Sequence, residues 1–232
     1  MKTTSLSILY FLSGIAFIIL KCIPGFIPLF VVKAILMPFL ILIFILNARP
    51  GRVTSQWILF SALLFSWAGD VVLELPNMPG LAQQDELLFM IGLVCFLITH
   101  ALYFTVFCLT PGRNYAGKKF FLFLLPVIIY GAVLLYYMVD DLEDMRIPVI
   151  VYTVVLLAML AAAISRYKKV SLVSYYLVLT GAVLFVISDS LLAINKFSHP
   201  FKGSSALIMS TYLTGQFLIL IGYIKQYRNE FV

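Results

Sequence analysis

The chain has 232 residues, of which 63% are hydrophobic and only 11% charged, and its 16 basic and 10 acidic side chains leave a formal net charge of +6. Soluble domains run nearer about 45–50% apolar and about 25% charged, so a soluble globular domain is excluded, and so is a disordered chain, which must stay solvated. The basic residues are too sparse for a nucleic-acid-binding stripe, and the apolar residues come in long blocks that make a bilayer the natural solvent.

A helix needs about 20 weakly charged residues to cross a bilayer. Such stretches occur eight times, predicting transmembrane helices over residues 5–21, 26–46, 54–75, 86–109, 119–139, 147–165, 172–194 and 205–224. The first follows Lys2 and contains an apolar run from Leu6 to Leu20. It reads as a retained helix, not a signal peptide, because no small-x-small cleavage site follows and the next apolar block begins almost at once. Turn-forming residues mark the breaks: Pro24-Gly25, Arg49-Pro50-Gly51, Pro76 to Gly80, Pro111-Gly112, the acidic run Asp140 to Asp144, and Pro200 to Gly203. Connections this short leave no room for a soluble domain. The expected fold is all-α, a polytopic integral membrane protein with eight transmembrane helices forming a single domain over residues 1–232. Cys22, Cys95 and Cys108 are an odd number without a CxxC pair, so neither a disulfide framework nor a structural zinc site is expected.

An even number of spans puts both termini on one side. The N-terminus, the second, fourth and sixth connections and the C-terminal tail carry 11 basic residues, among them Arg49, Arg52, Arg113, Lys118, Lys119 and Arg166. The opposite connections carry 4, namely Lys21, Arg146, Lys196 and Lys202, and Lys33 lies inside the second span. Positive charge accumulates on the cytoplasmic side, so both termini are expected in the cytoplasm, and in a bacterium the membrane would be the plasma membrane. No connection gathers the roughly four to eight Lys and Arg of a lipid-binding basic patch.

Inside the spans sit Lys33, Asp70, Glu74, His100 and Asp189, with Gln216 as an uncharged companion. Each charge costs about 2.5–3.5 kcal/mol at mid-membrane on insertion scales, so each needs a partner or a cavity and marks a candidate site. Glu74 is the exception, since it lies next to a span end and can reach the interface by snorkelling. At about 1.5 Å per residue, Asp70 and Asp189 lie about 7 Å inside the external ends of their spans and Lys33 about 10 Å below the same surface. His100 and Gln216 lie deeper.

Helical spacing adds a lining. Gly92, Phe96, His100 and Tyr103 share one face of the fourth span, Tyr212 and Gln216 one face of the eighth, Ser66 is one turn before Asp70, and Ser188 precedes Asp189. Gly92 and Gly181 read more simply as close-packing positions between helices. His199 sits in the loop Ser198-His199-Pro200. A short internal echo, LLFSWAGDVVL from Leu63 to Leu73 and LFVISDSLL from Leu184 to Leu192, fits a four-plus-four repeat.

Four blocks carry a resemblance: Phe65-Ser66-Trp67-Ala68-Gly69-Asp70, the Gly92-Phe96-His100-Tyr103 face, Gly181 to Phe197 (GAVLFVISDSLLAINKF) and Ala206 to Gln216 (ALIMSTYLTGQ). Together they resemble the signature blocks of the YhhN-like lysoplasmalogenase family, over all the spans in order and most specifically in the last two. The chain departs from the family pattern at Thr214-Gly215 before Gln216, where an aliphatic residue and alanine are expected, and at Glu74, which is not part of that pattern. The resemblance implies an eight-helix hydrolase that cleaves the vinyl ether bond of lysoplasmalogens to a fatty aldehyde and a glycerophospho head group. Its substrate would be a lysophospholipid within the bilayer, with no cofactor and no metal. Carried over, the matching polar residues are Lys33, Asp70, His100, Tyr103, Asp189, Asn195, Lys196, Tyr212 and Gln216.

Vinyl ethers hydrolyse by protonation of the carbon beta to oxygen, capture of the oxocarbenium ion by water, and collapse of the hemiacetal. The chemistry needs a general acid, an anion facing the cation and a positioned water, roles that two carboxylates in different environments divide in glycoside hydrolysis. The expected catalytic set is Asp70, Asp189, His100 and Lys33, with Asp189 favoured as acid on the expectation that Lys33 pairs with Asp70. Tyr103, Tyr212, Gln216, Asn195, Lys196 and Ser188 are expected to bind substrate, Asn195 and Lys196 through its phosphate, although Lys196 could equally snorkel. A three-histidine zinc site is disfavoured because the chain has only 2 histidines. The competing class is a small transporter or proton-coupled carrier, for which paired membrane aspartates and a repeat are also expected.

Overall fold

A computed structural model describes residues 2–21, 23, 29–48, 53–78, 80–110 and 118–228. Cys22, the Pro24-Gly25 break, Arg49 to Arg52 and Pro111-Gly112-Arg113 lie outside the described residues, as do the side chains of Lys2, Lys118 and Lys119. Among the described residues, eight long helices follow in chain order: α1 (Lys2–Leu20), α2 (Leu29–Asn47), α3 (Val53–Glu74), α4 (Asp85–Cys108), α5 (Lys118–Met138), α6 (Arg146–Ser165), α7 (Leu172–Ala193) and α8 (Ser204–Arg228). Seven are long and apolar enough to cross a membrane, and α5 contributes a shorter apolar stretch, Leu122–Met138. The protein is therefore a polytopic all-α membrane protein.

The helix ends follow local chemistry. Ser171 caps α7, its side chain accepting from the Ser174 amide at 3.3 Å, and Asp85 and Glu86 place negative charge in the first turn of α4. Gly80 and Gly203 have φ of 86° and 81°, left-handed values that glycine adopts without strain, which is why the chain reverses before α4 and α8. Beyond its last α-helical turn, α7 continues as a π-helical turn, Ile194–Ser198.

The chain divides into two compact units, Met1–Tyr103 and Phe104–Val232, with the boundary inside α4. In the first unit α2 packs between α1 and α3. Pro38 interrupts α2 and has no amide hydrogen to give the carbonyl of Ala34. The indole Nε1 of Trp67 on α3 donates to that carbonyl at 2.8 Å, so the gap left by proline is filled from the neighbouring helix.

In the second unit the most extensive helix pair is α7 with α8. It depends on glycines: a Cβ on Gly181 would lie 2.7 Å from the carbonyl oxygen of Gly215, and one on Gly215 would lie 2.9 Å from that of Gly181. Backbone contact of this kind supplies the dispersion attraction that holds helices together in lipid, where no hydrophobic driving force separates one apolar surface from another.

Candidate functional site

In the first unit, α3 presents Ser66, Asp70 and Glu74 at steps of four residues, and all three are buried. Glu74 does not snorkel. Its Oε2 accepts a hydrogen bond from Lys33 Nζ at 3.3 Å, Lys21 Nζ lies 3.6 Å from Oε1, and Asn77 Nδ2 donates to Oε1 at 2.8 Å. Lys33 thus pairs with Glu74 instead of the expected Asp70. The cause is local: the chain past Glu74 turns through the short helix Leu75–Asn77 and folds Asn77 back, while packing of α1 and α2 brings up the two ammoniums. Both ammoniums also stand over the Phe17 ring, at 5.4 and 5.8 Å from its centroid. Burial lowers the pKa of Lys21, which follows α1, against the opposing pull of Glu74.

One turn deeper, Asp70 is buried, and the phenol of Tyr10 on α1 is within electrostatic reach of it and of Tyr103. Gly69 makes room for the Phe96 ring, which a Cβ would meet at 2.8 Å, so Phe96 packs α4 against α3 at the residue before Asp70. Gly92 likewise takes Leu73 against its backbone. His100 and Tyr103 are fully buried on α4, and the neighbouring Thr99 ties α4 to α3 by donating to the Ala62 carbonyl at 3.3 Å.

In the second unit, Asp189 on α7 is buried and accepts a hydrogen bond at Oδ2 from the hydroxyl of Tyr152 on α6, at 2.5 Å. The next residue, Ser190, accepts from the hydroxyl of Tyr130 on α5 at 2.7 Å and donates to the Val186 carbonyl. Ser188 turns instead to α8, donating to the Ile208 carbonyl at 3.0 Å. Tyr212 meets Phe185 edge to face, and Gln216, one turn on, is fully buried. Asn195 and Lys196 are half-buried in the π-helical turn, where Asn195 Oδ1 accepts from the Phe201 amide at 3.3 Å and so braces the turn into α8. His199 lies exposed beside the Tyr137 hydroxyl, 3.2 Å from its Nδ1.

Glu74, Tyr152 and Arg166 are buried polar groups outside the expected site residues. Glu74 stands at a span end, and Tyr152 is a lone tyrosine in an apolar helix. Arg166, expected as a charge at the membrane surface, lies inside. It is almost fully buried, its Nη2 donating to Gln226 Oε1 at 2.6 Å and to Ser174 Oγ at 3.2 Å, with its guanidinium 5.4 Å from the Phe107 ring centroid. Ser174 in turn donates to the Gly222 carbonyl, so this cluster ties α7 to α8.

The YhhN family model matches residues 29–223, a span that includes every candidate from Lys33 to Gln216. The chain is 31% identical over 170 residues to lysoplasmalogenase TMEM86A of Bos taurus, covering 72% of this chain and 65% of that protein. It is 29% identical over 185 residues to lysoplasmalogenase TMEM86B of Mus musculus, covering 80% and 71% respectively. To human TMEM86A it is 30% identical over 174 residues, again spanning 65% of the relative's length. No solved structure matches the chain.

Proposed function

Because the chain belongs to the YhhN family, we propose that it is a membrane hydrolase that cleaves the vinyl ether bond of lysoplasmalogens, releasing a fatty aldehyde and a glycerophospho head group. The observation that carries this reading is similarity over most of the chain to proteins named lysoplasmalogenases. Buried carboxylates in membrane helices supply the acid-base groups that the reaction requires.

The reaction adds a proton to the alkenyl carbon beta to oxygen and leaves an oxocarbenium ion. Water adds to the cationic carbon and loses a proton, and the hemiacetal expels the glycerol oxygen as an alcohol. Asp189, held in place by the hydroxyl of Tyr152, is assigned the anion that faces the cation. Asp70, buried on α3 within electrostatic reach of Tyr10, is assigned the general acid. His100, Tyr103, Tyr212 and Gln216 are assigned to positioning water and substrate, and Lys196 to the phosphate. Lys33 acts through Glu74, as part of an ion pair, and not on the substrate. Both termini are assigned to the cytoplasm on the distribution of basic residues.

A second reading, a carrier, draws on the division after Tyr103, which leaves about four helices in each unit as two repeats would. One experiment separates the two. Purified protein in detergent is given vinyl ether and acyl lysophospholipids side by side, and aldehyde is measured. Release from the vinyl ether lipid alone supports the hydrolase; no release from any lipid refutes it, since a carrier does nothing without a sealed compartment.

A further inference from the structure

Between α5, α6 and α7 lies an open apolar groove of about 300 Å³, walled by Pro126 and Tyr130 of α5, Leu160 of α6, and Val183, Val186 and Ile187 of α7. We propose that this groove holds the hydrocarbon chain of the substrate and sets its chain-length preference, a reading that rests on the hydrolase function above.

The groove has a local cause. Gly131 lets α5 close on α6, where a Cβ would meet Leu157 Cδ1 at 2.3 Å. About one turn earlier, Pro126 can neither donate to the carbonyl of Leu122 nor pack as an ordinary helical residue. Contact at Gly131 and interruption at Pro126 leave a slot that α6 and α7 floor.

Its chemistry selects hydrocarbon. The one hydroxyl on the wall named above, that of Tyr130, is given to Ser190, and Ser190 is given to the Val186 carbonyl. Such a wall offers a polar ligand nothing. The volume is at the low end of small-molecule pockets, about 300–1,000 Å³, which suits one chain and not the two of a diacyl lipid.

Its position joins it to the reacting bond. Val186 precedes Asp189 by three residues on α7, about 4.5 Å along the axis and on the same face. On α6, Leu160 and Tyr152 are two turns apart, and Tyr152 is the residue that reaches Asp189. The groove wall on α5 and α7 is thus tied close to the Asp189–Tyr152 pair, Tyr130 bonding Ser190 beside Asp189. In a vinyl ether the carbon that becomes cationic is bonded directly to the carbon that continues as the chain. An anion facing that cation belongs near the start of an apolar slot, and Asp189 lies about one helical turn beyond Val186 of the groove wall.

Lipid tails are as apolar as the groove, so the chain gains packing there and no hydrophobic transfer energy. The groove accordingly discriminates between chains more than it tightens binding overall. The test fills it: Val183→Phe and, separately, Ile187→Trp, both at partly exposed positions that tolerate bulk. Aldehyde release is measured for lysoplasmenyl ethanolamines with short, medium and long alkenyl chains. The expected result is a loss of about tenfold in kcat/KM for long chains with short chains little affected. An equal loss at every length, or none, overturns the proposal. A photoreactive alkyl lysophospholipid reads occupancy whether or not aldehyde is released. Labelling of the peptides containing Pro126 to Tyr130 and Val183 to Ile187, lost in Val183→Phe, supports the groove; labelling elsewhere overturns it. Labelling of the groove without aldehyde release from wild type refutes the hydrolase reading and leaves a chain-binding groove.

Discussion

Lys33 donates to Glu74 across 3.3 Å, joining two residues 41 positions apart in a buried ion pair between α2 and α3. Removing one member of such a pair strands the other charge, at about 3–5 kcal/mol, whereas replacing both with apolar residues of similar volume is often neutral. Glu74→Leu is therefore expected to lower thermal stability in detergent sharply. Glu74→Leu with Lys33→Met is expected to recover most of the loss. A single variant as stable as wild type would contradict the pairing.

Asp189→Asn is expected to reduce aldehyde release by at least about 100-fold, and Asp70→Asn by a similar factor, since each removes an acid-base group. Near-wild-type turnover in either variant would remove that residue from the scheme. Stability measured alongside distinguishes lost chemistry from lost folding.

Tyr152→Phe deletes one hydrogen bond to Asp189 and leaves the ring in place. Leaving a buried polar group without its partner costs about 1–3 kcal/mol, so kcat is expected to fall by roughly 5- to 100-fold with KM little changed. A change confined to KM would place Tyr152 in substrate binding.

At the α7–α8 crossing, Gly215→Ala sets a Cβ 2.9 Å from the Gly181 carbonyl oxygen, and backbone has little room to move away. A cost of about 1–3 kcal/mol is expected from overpacking, read as a lower midpoint of thermal unfolding. Gly80→Ala supplies the contrast. Among the described residues beyond its chain neighbours, no atom lies within 4 Å of its Cβ, so its penalty comes from the positive φ.

The Trp67 indole and Pro38 form a thermodynamic cycle. Trp67→Phe leaves the Ala34 carbonyl open and is expected to cost about 1–3 kcal/mol. In a Pro38→Ala background the helix supplies its own donor, and the same substitution is expected to cost less. Equal costs in both backgrounds would show that the indole serves some other purpose.

The helices were legible because long apolar runs leave few alternatives. The expected span over residues 147–165 and the helix Arg146–Ser165 differ by one residue at one end. The polar residues inside those runs were legible for the same reason, as charges that have no business in lipid without a partner. Partner identity was not. Glu74 sits where a helix end ordinarily meets water, and only the packing of α1 and α2 brings Lys21 and Lys33 to it. Tyr152 carries no charge and sits in a helix where tyrosine is unremarkable, so its bond to Asp189 depends on the register of α6 against α7. Arg166 looked like one basic residue among several at a membrane surface. Its burial reflects Gln226 and Ser174 arriving from two other helices.

Pro38 also bears on how the chain enters the bilayer. A segment with its proline near mid-helix carries an open carbonyl into hydrocarbon, where nothing but another helix can answer it. The answering group is an indole on the next helix, so α2 is completed only when α3 stands beside it. Insertion of the two as a hairpin avoids the exposed intermediate that insertion one at a time would create, and a truncation ending between them would leave α2 poorly held in the membrane.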